Sequence, residues 1–265
     1  MLNWKWLWFD FSGIFWRSHA QLVKLPIYLL TSIATPLIWL LLFSQIFQPV
    51  IHTGQFSEFG DNYLLFFAPG VVVMTTLFGA GWSGMGVLAD ISTGVIEKII
   101  STPSNRSAVI LGKLSHQAMV IIMQAVIVMV IAILMGAQGS LNIGTALGIA
   151  GFGYLMSIGI AAISYGVALL VRHTDSMMVI VNLSLMPMQF LSSTMMPMSS
   201  LPKWIQVVSY FNPVDWYVVV VRTLWLKGWE WDILLRPGLC IFGLSIAGMI
   251  FCSYVFNRAL SGDWR

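Results

Sequence analysis

The chain has 265 residues, 58% of them hydrophobic and only 9% charged, with a net charge of +3. Soluble domains average roughly 25% charged residues, and repeated apolar runs near the ~20 residues that cross a bilayer cannot be hidden in one soluble core of this size. The composition therefore excludes an ordinary soluble protein, and because the bases stand beside apolar segments rather than in a stripe, it gives no sign of a nucleic-acid partner.

From the N-terminus, residues 3–18 predict an interfacial helix. Trp4, Leu7, Trp8, Phe11, Ile14 and Phe15 fall on one side of a helical wheel, and Lys5, Asp10, Ser12 and Arg17 on the other. Trp6, Phe9 and Trp16 lie outside the apolar face, so a frayed aromatic tail is the alternative. No basic stretch followed by an apolar core and a small-residue cleavage site is present, and no removable signal peptide is expected. Cys240 and Cys252 share one predicted helix about 18 Å apart, too far to pair.

Six apolar segments follow, at 27–47, 63–88, 107–135, 143–171, 177–195 and 234–256, each long enough to span with some tilt. Alternate connections divide the Lys and Arg residues nine to four. That bias predicts a multi-pass membrane protein with both termini in the cytosol. The connection after the first span holds Glu58 and Asp61 without a base, and the one after the third span has no charge; both fit an outer location.

The second and third spans are joined by a polar stretch, ADISTGVIEKIISTPSNRSAVILGK. A helix over 90–101 places Asp90, Gly94, Glu97, Lys98 and Ser101 on one face and Ile91, Val95, Ile96, Ile99 and Ile100 on the other. Pro103 stops it, and Arg106 and Lys113 stand where the third span begins. Between 197 and 231 a second polar-bounded stretch holds the apolar run WYVVVVRTLWL, too short to cross. Two short re-entrant helices, around 201–210 and 214–226, are the economical reading, with Trp204, Trp216, Trp225, Trp229 and Trp231 as interfacial anchors; an ordinary outer loop is the alternative. Arg222, costly at membrane depth, is expected to pair or to sit high in the bundle. The fold class is thus all-α integral membrane: six transmembrane helices, an N-terminal interfacial helix and two short re-entrant helices before the last span, forming a single membrane unit over 1–265.

Small residues at four-residue spacing, such as Gly144/Gly148 and Ala162/Gly166, predict close helix packing. Pro36 and Pro187 invite kinks in the first and fifth spans. Seven of the sixteen methionines lie between Met177 and Met198, and soft thioether surfaces suit ligands of variable shape as well as gaps in cores. If the fifth span lines a route, Met178, Asn182, Met186 and Gln189, with Pro36 on the first span, are its candidate contacts.

Catalytic chemistry is not expected. The four histidines are scattered, no His or Cys spacing suits a metal, and no carboxylate pair lies within a span. Gly112-Lys113 lacks the preceding glycine and the following Ser or Thr of a phosphate loop. The chain is therefore expected to be no enzyme and to bind no cofactor itself.

The run GVIEKIISTPSNR from Gly94 to Arg106 with Gly112-Lys113, then Leu201-Pro202-Lys203-Trp204, Asn212-Pro213 and Arg222, together with Phe67-Ala68-Pro69-Gly70, resembles type 2 ABC transporter permeases. The family holds exporters of drugs, lipids and polysaccharides. The resemblance implies a homodimer, or a heterodimer with a similar permease, docked on two copies of a cytosolic ABC ATPase that supply ATP and Mg. It further implies that the ATPase is contacted through Asp90, Gly94, Glu97, Lys98 and Ser101, with Pro103 and Arg106 fixing the exit, and that Pro202, Trp204, Asn212, Pro213 and Arg222 mark the re-entrant region. Family members often carry a charged pair before the glycine, where this chain has Ser92-Thr93. The function implied is export of an amphipathic drug, lipid or glycan. The reading from a different class is a non-transporting assembly or signalling protein whose cytosolic helix recruits a partner. An ion-coupled carrier is a third, weakened by the absence of an acid within any predicted span.

Overall fold

The computed structural model describes Gly13 and residues 26–47, 63–95, 106–137 and 139–260. The predicted interfacial helix over 3–18 (apart from helical Gly13), the loop with Glu58 and Asp61, and the stretch holding Glu97, Lys98, Ser101 and Pro103 lie outside the described residues.

The described chain is helical, without a strand: α1 (Pro26–Phe47), α2 (Tyr63–Gly81), α3 (Gly84–Ser92), α4 (Arg106–Leu134), α5 (Ile143–Val171), α6 (Thr174–Phe190), α7 (Lys203–Tyr210), α8 (Pro213–Leu226) and α9 (Trp231–Leu260), with a 3-10 turn at Met198–Ser200. Among these residues four stretches are long and apolar enough to cross a membrane: Tyr63–Ser92, Val109–Leu134, Ile143–Val171 and Trp231–Arg258. A helix apolar all round belongs inside a bundle, and α2 is that helix. Tyr63, Phe66, Phe67, Val71, Val73 and Ala80 are wholly buried, and α1, α4, α5, α6 and α8 all pack on it. Thr75 and Thr76, polar but buried, donate back to the carbonyls of Val71 and Val72 at 2.9 and 3.1 Å, which removes the cost of burying bare hydroxyls.

The most extensive packing joins α5 and α9. A Cβ on Gly248 would lie 2.5 Å from the Gly159 carbonyl oxygen, and one on Gly159 would press on the Ser245 backbone at 3.1 Å. Ser245 Oγ donates to the Leu155 carbonyl at 2.6 Å across the same seam. Small residues thus permit close approach, but the pairs that do so differ from those predicted. Gly144 meets only Asn142 and Trp229 side-chain atoms, and Gly148 receives the Trp229 ring rather than a helix backbone. α5 begins with a capping box between Asn142 and Thr145 and ends at Arg172 in the left-handed region, φ 56°.

One predicted boundary is corrected, and one span carries an unexpected interruption. The second span is a single apolar stretch that includes 63–88, but its helix is broken at Trp82-Ser83. The fifth does not reach 195 but stops at Phe190, giving 17 residues. Pro187 contributes no amide donor to the ladder, the Leu191 amide closes the last turn on the Pro187 carbonyl at 2.8 Å, and residues 191–195 turn away to be held by α8. The two short helices expected between the fifth and last spans are present as α7 and α8. They differ sharply: only Ser209 of α7 is buried, whereas nine of the fourteen α8 residues are.

Candidate functional site

At the end of the bundle where α3 stops, the sequence places the stretch that joins two spans. Ser92 and Thr93 hydroxyls both donate to the Ala89 carbonyl, at 2.9 and 2.8 Å, beside the Thr93 amide at 3.1 Å. Three donors on one carbonyl satisfy a helix terminus, and Gly94, at φ +66°, then turns the chain out. The Ser92-Thr93 departure from the family pattern thus has a local structural role. A helix running unbroken over 90–101 is corrected by the same geometry: Asp90 belongs to the inner helix α3, Gly94 is its turn, and a new helical residue begins at Val95. Asp90 forms an ion pair with Lys113 of α4, both partly buried, so its carboxylate is engaged within the permease. Arg106 opens α4.

A second feature of this half is the break in the second span. Ser164 of α5 donates its hydroxyl to the Gly81 carbonyl at 2.5 Å and accepts from the Gly84 amide at 3.0 Å. One hydroxyl therefore serves two of the backbone groups released by the break, which lowers the cost of open backbone inside a membrane. Nothing in the sequence singles out Ser164, because its partners lie 83 and 80 residues away.

At the opposite end, α8 locks the 191–195 turn. Asn212 caps α8 through the Val214 amide at 3.0 Å, with Pro213 in the first turn, and its amide nitrogen donates to the carbonyls of Met188 and Leu191 at 2.6 and 2.9 Å. Asp215 Oδ1 accepts from the Ser193 amide and hydroxyl at 2.8 and 2.6 Å. Arg222 donates to the Ser193 carbonyl at 2.9 Å and lies over the Phe66 ring, 4.2 Å from its centroid. Arg222 is thus paired within the bundle, and with Asp215 it is committed to holding one turn rather than to lining an ion site. Tyr217 and Trp225, fully buried, reach the carbonyls of Ile149 and Ala137 at 3.2 and 3.4 Å. Trp225 is therefore a core residue, which corrects its expected role as an interfacial anchor. Trp204 and Trp231 are exposed, and Trp216 donates to the Tyr210 carbonyl at 2.8 Å. Pro202 and Trp204 sit at the start of α7, where the Trp204 and Val207 side chains are open, as is that of Phe211 just past its end.

On α6 the four candidate path residues separate. Met177, Val181, Leu185 and Gln189 form the buried stripe, at four-residue spacing, while Met178 and Met186 are exposed and Asn182 is intermediate. Asn182 donates its amide to the Met178 carbonyl at 3.0 Å. Gln189 is 3% exposed with neither amide atom hydrogen-bonded. Pro36 is half-buried on α1, whose Ile38, Leu41 and Leu42 are open. Among the described residues no cluster of His, Cys, Asp and Glu could hold a metal ion.

Among the described residues, a helical bundle with several membrane-length apolar stretches is the architecture of a multi-pass membrane protein. The chain belongs to the ABC-2 type transporter family, whose pattern matches residues 10–226. It is similar to a transport permease, ycf38, of Cyanophora paradoxa, 30% identical over 248 residues, covering 91% of this chain and 82% of that one. The daunorubicin resistance ABC transporter permease protein DrrB1 of Streptomyces coeruleorubidus is 25% identical over 235 residues, 85% of this chain and 78% of the relative. A ycf38 transport permease of Porphyra purpurea is 22% identical over 226 residues, 84% and 76%. The expected family membership is borne out: the chain is a membrane permease of the ABC transporter type, a class that works with an ATPase subunit.

Proposed function

We propose that this chain is the permease half of an ATP-driven exporter, moving an amphipathic drug, lipid or glycan outward. The observation that carries the reading is the join between spans: α3, tied to α4 by Asp90 and Lys113, ends in the positive-φ turn at Gly94, where the polar stretch that leads to the third span begins. A segment fastened to two spans at once is suited to transmit force from an outside engine. That engine is a cytosolic ABC ATPase, two copies with ATP and Mg, contacted by Gly94, Glu97, Lys98 and Ser101, with Pro103 and Arg106 fixing the exit. Asp90 supports this contact from within.

A second, identical protomer completes the transporter, and six spans cross the membrane when α1 and α6 are counted with the four longer stretches. The open faces of α1, with Pro36, and of α6, with Met178, Asn182 and Met186, are the surfaces offered to substrate. Daunorubicin resistance in the name of one relative favours an amphipathic substrate over a processive glycan. α7 and α8 form the re-entrant region, α8 sheltered by protein and α7 at the outer surface. The nine-to-four distribution of bases supports both termini in the cytosol of a plasma-membrane protein.

The test is co-purification with a candidate ATPase. Glu97→Arg should lower recovery of the complex at least tenfold and abolish ATP-driven transport, while leaving the permease folded. Unchanged complex and unchanged transport with this variant would remove the docking role of that face. Lack of any stimulated ATPase activity by reconstituted wild-type permease would favour a recruiting protein without transport.

A further inference from the structure

No proline lies between Gly70 and Thr102, but the break in the second span falls on a Gly- and Ser-rich stretch with Gly81, Ser83 and Gly84, the kind of sequence at which helices kink, and a side chain from another span enters the opened ladder there. In an unbroken helix the Gly84 amide would bond to the Ala80 carbonyl, and the Gly81 carbonyl would accept from Met85. Here Met85 donates to Trp82 at 3.1 Å, and the Ala80 carbonyl is taken by the Ser83 amide at 3.3 Å and the Ser83 hydroxyl at 2.6 Å. The two freed groups, the Gly81 carbonyl and the Gly84 amide, meet on one atom of another span, Ser164 Oγ.

We propose that Ser164 is a positioning residue for coupling: its hydroxyl is the pivot on which the Gly84–Ser92 half-helix swings as a lever, and the Asp90–Lys113 ion pair carries that swing into α4. The idea rests on the reading that the stretch beyond Gly94 docks an ATPase. Three observations support a moving part. The lever is short and self-contained, its far end closed by Ser92 and Thr93 on the Ala89 carbonyl. Its inner face meets a small apolar cavity, where Val87 faces Ile110, Leu169, Cys252 and Phe256; close-packed interiors resist movement and a void permits it. Its pivot also bears on α6, since a Cβ on Gly81 would collide with Leu185 and one on Gly84 would lie 2.6 Å from the Met177 terminal methyl. Any swing is therefore felt on the span whose opposite face carries Met178 and Met186.

The first experiment uses the permease alone in nanodiscs. Ser164→Ala should raise amide hydrogen exchange at 84–93 at least tenfold while leaving 63–80 protected, and Ser164→Thr should restore protection. The second uses the co-purified ATPase complex with spin labels at Gly86→Cys and Ile250→Cys, and separately at Met119→Cys and Ile250→Cys, comparing nucleotide-free and ATP/vanadate-trapped states. Both distances should shift in the parent complex, and neither in Ser164→Ala, although ATP hydrolysis stays within about twofold. Asp90→Lys or Lys113→Asp should abolish only the Met119 shift, and the double charge swap should restore it. Unchanged exchange, or intact shifts in Ser164→Ala, would overturn the pivot. An intact Met119 shift in both single charge variants would overturn the ion-pair linkage. If no ATPase binds the parent permease, the docking reading fails by itself, and the exchange result still decides the pivot.

Discussion

The two ends of the second span are held in opposite ways. At the Tyr63 end, the α6–α8 turn is fixed by Asn212, Asp215 and Arg222 through six hydrogen bonds onto backbone and hydroxyl groups of residues 188–193, over a floor of fully buried aromatic rings. At the Ser92 end, the half-helix α3 is tied to other helices by Ser164 above and Lys113 below. Dense buried polar networks rigidify, and sparsely tied elements open locally at low cost. The contrast assigns a fixed frame to one end of the span and a movable handle to the other.

Removing the frame should produce the largest effect. Arg222→Ala deletes the bonds to Ser193 and the cation over Phe66, and losing charge-assisted hydrogen bonds together with a buried cation–π contact costs about 3 kcal/mol. Thermal unfolding of the purified permease measures it. Lysine should not rescue, because it lacks the planar fork that lets Arg222 bond and stack together. An Arg222→Ala protein as stable as the parent would erase the distinction between the two ends.

The α5–α9 seam belongs to the frame as well. Gly248→Ala puts a methyl 2.5 Å from the Gly159 carbonyl oxygen, and overpacking against backbone costs about 1–3 kcal/mol. Gly243→Ala on the same helix, with nothing within 4 Å of the added carbon, should instead gain up to ~1 kcal/mol from helix propensity. Unfolding midpoints of the pair separate contact from propensity.

Much of the frame is legible in the sequence. Asn212-Pro213 reads as a helix start, and an arginine in an apolar stretch must find partners; both hold because cap chemistry and desolvation act locally. The handle is less legible. A helical wheel over 90–101 cannot see that Gly94 adopts a positive φ, so Asp90 looks like part of an outward polar face when it points to Lys113. The glycines and Ser83 around Trp82-Ser83 permit a break, but what fills it, Ser164, is an unremarkable serine in a distant span. The candidate route along the fifth span likewise groups Gln189 with Met178 and Met186, although in the fold Gln189 belongs to the buried stripe of α6. Tertiary choice among adjacent faces of an apolar helix has little sequence signature.

Gln189 stands between frame and handle, one turn from Leu185 and adjoining the clamped turn. Its buried amide has no hydrogen-bond partner, and an unsatisfied polar group costs about 1–3 kcal/mol. Gln189→Met, which keeps volume and drops the amide, should therefore raise stability by about 1 kcal/mol in the same unfolding assay. Ligand-stimulated ATPase activity should fall if the amide is held in reserve for substrate. Lower stability in the variant would show that the amide is already paired and belongs to the frame.

The smallest effect is expected at the handle. Asp90→Asn breaks the ion pair with Lys113, but both side chains retain solvent contact, at 25% and 18% exposure, and pairs of that kind contribute ~0–1 kcal/mol. Salt should weaken the parent's small advantage over the variant, since the Debye length shrinks to about 3 Å at 1 M. The unfolding midpoint should thus move little and converge with the parent at high salt. Function should not follow stability here, because a lever needs its tie only when force is applied. A variant that is nearly as stable as the parent yet hydrolyses ATP without moving α4 would show that this end of the span is built for transmission, whereas a loss as large as that of Arg222→Ala would make it a second clamp.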